Sequence, residues 1–191
     1  YWYQPYDRRR KKECRDEFRG AFQGKYYFSS DDSWTDGSSI IEVVIPNSVT
    51  EIGKYAFWGS SCDNALIIPE SVDSIADAAF VLCDVDSIII RGQISSLKTN
   101  TFEACKNLTY IELPNSLKYI GDYPFNDCRN LQKIVCKASI PPKCTYWSFK
   151  FAGKRMTLEV PKESIELYKE ATVWENFYCI KTEDTEGNIK Q

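Results

Sequence analysis

The stretch Ile45-Pro46-Asn47-Ser48-Val49-Thr50-Glu51-Ile52-Gly53-Lys54-Tyr55-Ala56-Phe57 returns three more times along this chain of 191 residues. Its anchor position holds Pro46, Pro69, Arg91 and Pro114, at steps of 23, 22 and 23 residues. Eleven residues after each anchor stands a phenylalanine: Phe57, Phe80, Phe102 and Phe125. Six after it come Ile52, Ile75, Leu97 and Ile120, and three after it Val49, Val72, Ile94 and Leu117. Self-similarity at one fixed period is the signature of a stacked-coil solenoid. Solenoids present long surfaces, and their usual work is binding.

Two more columns precede the anchor. One residue before it are Ile45, Ile68, Ile90 and Leu113; three before it are Val43, Leu66, Ile88 and Ile111. Alternation at period two with β-branched residues predicts a strand with one buried face. Each coil is therefore read as one short strand, a turn, and an irregular or one-turn helical segment ending at the phenylalanine. A lone coil leaves its apolar side chains facing an open end. Stacking the next coil buries them in same-residue columns. Each fully buried ring contributes roughly 2–3 kcal/mol.

The pattern then degrades. Ile134 and Cys136 fill the inward positions of a fifth strand, and Ile140 is placed to continue the Val49 column before Pro141-Pro142 interrupts. Leu158-Glu159-Val160-Pro161 is a last strand candidate. Lys162 to Ala171 reads as a helix with Ile165, Tyr168 and Thr172 on one face, and Trp174, Phe177 and Ile180 follow. An array needs its open end covered by something apolar inside and polar outside. Residues 156–181 suit that role.

The phrase Ile-Pro-Asn-Ser-Val-Thr-x-Ile-Gly-x-Tyr-Ala-Phe, with cysteine three residues after the phenylalanine in later coils, resembles the BspA-like (treponemal-type) leucine-rich repeats. The tail from Val160 to Phe177 looks like the carboxyl end of such proteins in Bacteroides-type bacteria. The resemblance covers roughly residues 40–181. It implies an α/β repeat solenoid, a right-handed curved array with a parallel sheet on its concave side. It implies a secreted or cell-surface location and a role as an adhesin or host-interaction module. It carries over no catalytic residue. Coil three departs from the pattern with Arg91-Gly92-Gln93 in place of Pro-x-Ser, and coil one has Ser60 where cysteine is expected. The division expected is an amino-terminal cap over 1–39, the repeat array over 40–155, and a carboxyl-terminal cap and tail over 156–191.

Net charge is −3, so the whole chain has no nucleic-acid-binding character. No apolar run approaches the ~20 residues of a membrane span. The chain opens on neither an initiator Met nor a signal peptide, which points to a mature or trimmed chain. Eight cysteines suggest disulfides in a secreted protein. Cys83, Cys105 and Cys128 instead form one repeat column, and Cys136 takes an inward strand position. These four read as structural thiols packed as small hydrophobes. Cys14, Cys62, Cys144 and Cys179 lie outside the regular columns, and their state is left open. With no histidine and no Cys-x₂-Cys pair, neither zinc nor any other metal or cofactor is expected.

The absence of histidine also removes Ser-His and Cys-His chemistry and the commonest general base near neutral pH. The carboxylates are scattered over turns, so a noncatalytic domain is expected. Eight basic residues within 1–30 face four acidic ones, and Asp7 to Arg19 reads as a cap helix with a solvated basic face. Tyr26-Tyr27-Phe28 is an edge-strand candidate. The turn-rich loop 29–39 has carboxylates but lacks the EF-hand spacing for calcium. Two residues before each anchor are Val44, Ile67, Ile89, Glu112 and Val135, which should point outward from the sheet. Such a stripe marks a protein-binding surface, though β-propensity alone produces the same pattern. Tyr110 and Tyr119 are expected to flank this face. Trp58 is a candidate exposed platform for sugar or protein, and packing on the neighbouring loop accounts for it equally. The expected partner is another protein, of the host or its matrix, bound by a monomer. A carbohydrate, read by Trp58 and Trp34, is the second possibility, and a spacer holding another domain is the third.

Overall fold

The computed structural model describes residues 44–60, 65–153, 155–182 and 188–189. The expected amino-terminal helix, edge strand and loop, with Cys14, Trp34, Val43 and Cys62, lie outside the described residues. So does most of the tail after Thr182.

The strands, in chain order, are β1 (Glu51–Ile52), β2 (Leu66–Ile68), β3 (Ser74–Ile75), β4 (Ser87–Ile90), β5 (Ser96–Leu97) and β6 (Tyr110–Leu113). They continue with β7 (Tyr119–Ile120), β8 (Lys133–Cys136), β9 (Lys143–Cys144), β10 (Thr157–Glu159), β11 (Cys179–Lys181) and β12 (Asn188–Ile189). One helix, α1 (Ile165–Glu170), follows a 3₁₀ turn at Lys162–Ser164. Strands β2, β4, β6, β8, β10 and β11 pair in that order, all parallel, and β12 closes the sheet antiparallel to β11.

The register puts like on like, as the repeat demands. Leu66 faces Ile88, Ile88 faces Ile111, Ile111 faces Ile134, and Ile134 faces Leu158. Ile180 extends the same row opposite Leu158. A one-residue slip in any strand would turn its isoleucines to solvent, and this fixes the stacking.

The coils hold more β-structure than one strand each. The Ile52 column forms a second set of two-residue parallel ladders, β1–β3 and β5–β7–β9. The break between β3 and β5 falls at the coil that is one residue short. Gly92 stands there because a Cβ on it would lie 2.3 Å from the Val72 carbonyl oxygen. The third side, where a helical turn was an alternative, is a succession of turns. Its backbone bonds also run from coil to coil: Phe57 N–H to Ala79 O at 2.8 Å, Phe80 to Thr101 at 2.8 Å, and Phe102 to Pro124 at 2.9 Å. Three sides thus use the same device, which satisfies the buried backbone of each coil through its neighbours.

The core is the predicted set of columns. Phe57, Phe80, Phe102 and Phe125 are buried and stacked, with centroids 4.9, 5.2 and 6.0 Å apart. A fifth ring, Phe149, continues the stack 5.7 Å from Phe125. Trp174 and Phe177 then lie 5.0 Å from Phe149, so the last ring meets aromatic side chains instead of water. Tyr168 on α1 is buried beside Trp174. Its hydroxyl donates to Ala138 O at 2.8 Å, and the Trp174 indole N–H donates to Pro142 O at 2.8 Å. The Pro-Pro interruption therefore supplies the carbonyl that the covering tryptophan needs.

Three expectations are corrected here. Ile140 does not continue the Val49 column; it is 75% exposed, and its neighbour Pro142 is buried instead. The fifth coil carries one extra residue, which shifts every later column by one. For the same reason Cys144 is not outside the pattern: it pairs with Ile120 and continues the Ile52 column. Thr172, placed on the buried face of the helix, is exposed, because α1 ends at Glu170 and Ala171 turns to extended backbone.

The cysteine column has a polar function besides packing. Cys105 Sγ donates to Phe80 O at 3.1 Å, and Cys128 Sγ donates to Phe102 O at 3.0 Å. Each thiol thus satisfies a carbonyl of the preceding coil. Ser71 Oγ donates to Val49 O at 2.7 Å, and Ser116 Oγ to Ile94 O at 2.8 Å. This explains the serine two residues after the anchor proline. Cys83, Cys105, Cys128, Cys136, Cys144 and Cys179 are all free thiols.

Candidate interaction surface

Alternation along the strands turns one residue in two to the outer face of the sheet. The column expected there is Val44, Ile67, Ile89, Glu112 and Val135. The first members fit. Val44 is 64% exposed, Ile67 is 39% exposed, and Ile89 is half-buried. Ile67 and Ile89 are direct cross-strand partners, so their side chains form one apolar strip over the first coils.

The far end of the column differs. Val135 is only 7% exposed, contrary to the expectation of an open side chain. It lies in register between Glu112 on β6 and Glu159 on β10. Lys137 Nζ pairs with Glu112 Oε1, and Lys133 Nζ pairs with Glu159 Oε2 at 2.8 Å. The aliphatic stems of these long side chains cover the valine while their charges stay together. Tyr110 is half-buried. Its hydroxyl donates to Glu112 Oε2 at 3.2 Å, and Lys133 Nζ sits 5.8 Å from its ring centroid. Tyr110 therefore belongs to the charged end of the sheet. Tyr119 is exposed on the second ladder, in β7, and does not flank this face. Trp58 is half-buried, with its ring 5.8 Å from that of Tyr55 in the same turn.

A second exposed group was missed in the sequence. Tyr146 and Phe151 are largely exposed and Trp147 partly so, on the turns of the fifth coil. Lys150 Nζ lies 4.8, 4.2 and 5.5 Å from the ring centroids of Tyr146, Trp147 and Phe151. The available signal was Phe149: counted as the fifth core ring, 24 residues after Phe125, it puts positions 147 and 151 on the outer side.

The Cys105, Cys136 and Cys144 thiols are held neutral. Burial pushes the Cys144 thiol up to about 12. Burial also raises Cys136, partly opposed by the Tyr168 hydroxyl. The hydrogen-bonded neighbour Cys128, and then burial, raise Cys105 well above an ordinary thiol. None of these sulfurs is an activated thiolate at neutral pH. Among the described residues no group of three or more Cys, Asp or Glu side chains is arranged to hold a metal ion, and no helix is long and apolar enough to cross a membrane.

The geometry is that of a repeat array built for surface. Residues 30–151 match the model of the BspA-type leucine-rich repeat region in six copies. The chain belongs to that family. The match covers well over half of the chain and begins ahead of residue 40, where the array was expected to open. BspA-type repeats form a protein-interaction fold, and a solenoid of this kind is generally noncatalytic. No curated protein matches the chain.

Proposed function

We propose that this chain is a noncatalytic repeat domain that binds another protein through the amino-terminal part of its sheet face. It would do so within a secreted or cell-surface bacterial protein that acts as an adhesin or host-interaction module. The supporting observation is the division of the outer column. Val44, Ile67 and Ile89 leave an apolar strip uncovered, whereas Glu112 and Glu159 with Lys137 and Lys133 close the same column over Val135. Covering an apolar strip on one part of a sheet and leaving it open on another suits a contact patch with a charged rim.

The test is a screen of the purified chain against extracellular-matrix proteins, with an Ile67→Lys/Ile89→Lys double variant alongside. A protein bound by the parent and lost by the folded variant supports the reading. Equal binding by both would refute it. A second reading, carbohydrate recognition, is favoured by the exposed rings of Tyr146, Trp147 and Phe151, since aromatic faces stack on sugars. A glycan-array hit kept by the isoleucine variant and lost on Tyr146→Ala/Trp147→Ala would favour it. Failure of both panels would leave the spacer role.

A further inference from the structure

The turn that leaves the fifth coil and the 3₁₀ turn Trp174–Asn176 border an open cleft of about 440 Å³. Phe149, Met156 and Phe177 give it an apolar floor, and Arg155, Asn176 and Tyr178 stand on its rim. The volume lies within the range of small-ligand sites, at the size that accepts one large side chain.

Three further observations set this cleft apart from a gap between packed elements. First, the Arg155 guanidinium rests over the Tyr178 ring, 5.6 Å from its centroid, and no carboxylate among the described residues pairs with it. An arginine stacked in this way has a fixed plane and still presents its fork of donors. Second, the lining is strained at Val173, which has φ +77° with ψ −46°, whereas the φ of +56° at Arg155 equals that of Asn100 and Tyr123 in the turns of the regular coils. A β-branched residue at positive φ is a true conformational outlier. Strain of this kind gathers at ligand sites and switch regions, where the surrounding structure enforces it. Third, Asn176 is exposed in the same lining, and among the described residues its side chain donates only a long Nδ2 contact to Val173 O at 3.4 Å.

We infer that this cleft binds the carboxyl end of a peptide whose last residue is large and apolar. The guanidinium takes the planar carboxylate through two parallel N–H bonds. The apolar side chain lies on Phe149, Met156 and Phe177. Asn176 meets the peptide amide. The site is separate from the sheet face, so it stands or falls independently of the protein-binding reading.

Met156 is the only methionine of the sequence, so a ¹³C-methyl-methionine spectrum of the chain carries one native signal from the cleft itself. Its assignment follows from its loss in Met156→Leu. N-acetylphenylalanine should shift that signal saturably in the millimolar range. N-acetylphenylalaninamide and acetate should bind at least about tenfold more weakly, because each lacks one half of the recognised group. Arg155→Gln should weaken the acid by about tenfold or more and leave the melting temperature unchanged, since the side chain is exposed. 3-Phenylpropionate, without the amide, should bind several-fold more weakly than the acetylated residue. An amide that binds as well as the acid, an Arg155→Gln variant that binds normally, or no shift at all would overturn the site. Equal binding of 3-phenylpropionate would overturn its assignment to a peptide end.

Discussion

Phe102→Ala is the sharpest test of how the array is held together. Phe102 is fully buried and lies between two rings, Phe80 at 5.2 Å and Phe125 at 6.0 Å. Truncating a buried phenylalanine costs about 3–5 kcal/mol in lost burial and residual cavity. The upper part of that range applies here. The cavity walls are the next rings of the stack and ladder-bound backbone, so they have little freedom to collapse into it. Two ring contacts of roughly 0.5–1.5 kcal/mol each are lost with the side chain. A loss of about 4–5 kcal/mol is a large part of the 5–15 kcal/mol that holds a domain together. It corresponds to a fall in melting temperature of roughly 8–20 °C for a chain of this size.

In a quasi-one-dimensional array each coil touches only its neighbours, so the damage should also uncouple the two sides. The assay is equilibrium urea unfolding followed by circular dichroism and by tryptophan fluorescence. The parent should show one transition by both probes. Phe102→Ala should show an earlier and broader transition, with the two probes separating. Phe151→Ala, on a ring that is 61% exposed in the same coil-turn series, should change stability by less than about 0.5 kcal/mol. A loss below about 1 kcal/mol for Phe102→Ala would refute the claim that stacked rings carry the fold.

Gly92→Ala should cost about 1–3 kcal/mol in thermal or urea unfolding, because its Cβ would meet the Val72 carbonyl at 2.3 Å; Gly53→Ala, with nothing within 4 Å, should be tolerated. Tyr168→Phe should cost about 1–2 kcal/mol, since it leaves Ala138 O without its 2.8 Å donor inside the core; an unchanged urea midpoint would remove the hydroxyl from the account. The buried thiols should resist a disulfide reagent at pH 8 in the native chain and react fully once it is unfolded. Fast native labelling of Cys105 or Cys136 would contradict their burial. The same groups set an alkaline limit. Cys144 is raised from 9.0 to about 12, and Cys105 and Cys136 are raised as well, so above pH 9 the unfolded chain gives up protons that the folded chain retains. Their contribution to stability is full below pH 9 and should be lost as pH climbs toward 12; a urea midpoint flat across that interval would be inconsistent with neutral buried thiols.

The inside of this protein is written in its sequence by repetition. A column such as Ile52, Ile75, Leu97 and Ile120 has one physical cause, the need to bury the face of each coil on the next, so the same residue type returns at the same offset. The main strand register, the ring stack and the thiol column were all legible for that reason. What repetition does not record is length. The one residue added in the fifth coil moved Phe149 and Cys144 out of the counted positions and turned Ile140 to solvent, although the stack itself runs on without a gap. Nor does it record which backbone groups pair. The second parallel ladder uses only two residues per coil, too few to show an alternating pattern.

The outside follows a different logic. An outward position is under no demand to repeat, and its covering is set by whatever lies opposite it in the next strand: Ile67 faces Ile89, whereas Val135 faces Glu112 and Glu159. Val135 shows the consequence: it has the same residue type as Val44 and the same place in the repeat, yet one is covered and the other is open. The difference lies in Glu112 and Glu159, one strand away on either side, and in the lysines they draw over the valine. Reading single positions therefore finds the sheet face but not which part of it stays open. Binding candidates on a repeat protein are better sought where the repeat is violated. Here those places are the fifth-coil aromatics around Lys150 and the cleft between Arg155 and the strained Val173, both beyond the last regular coil. A coil that only needs to stack has no reason to leave three aromatic rings at the surface, or a guanidinium that no carboxylate among the described residues pairs with.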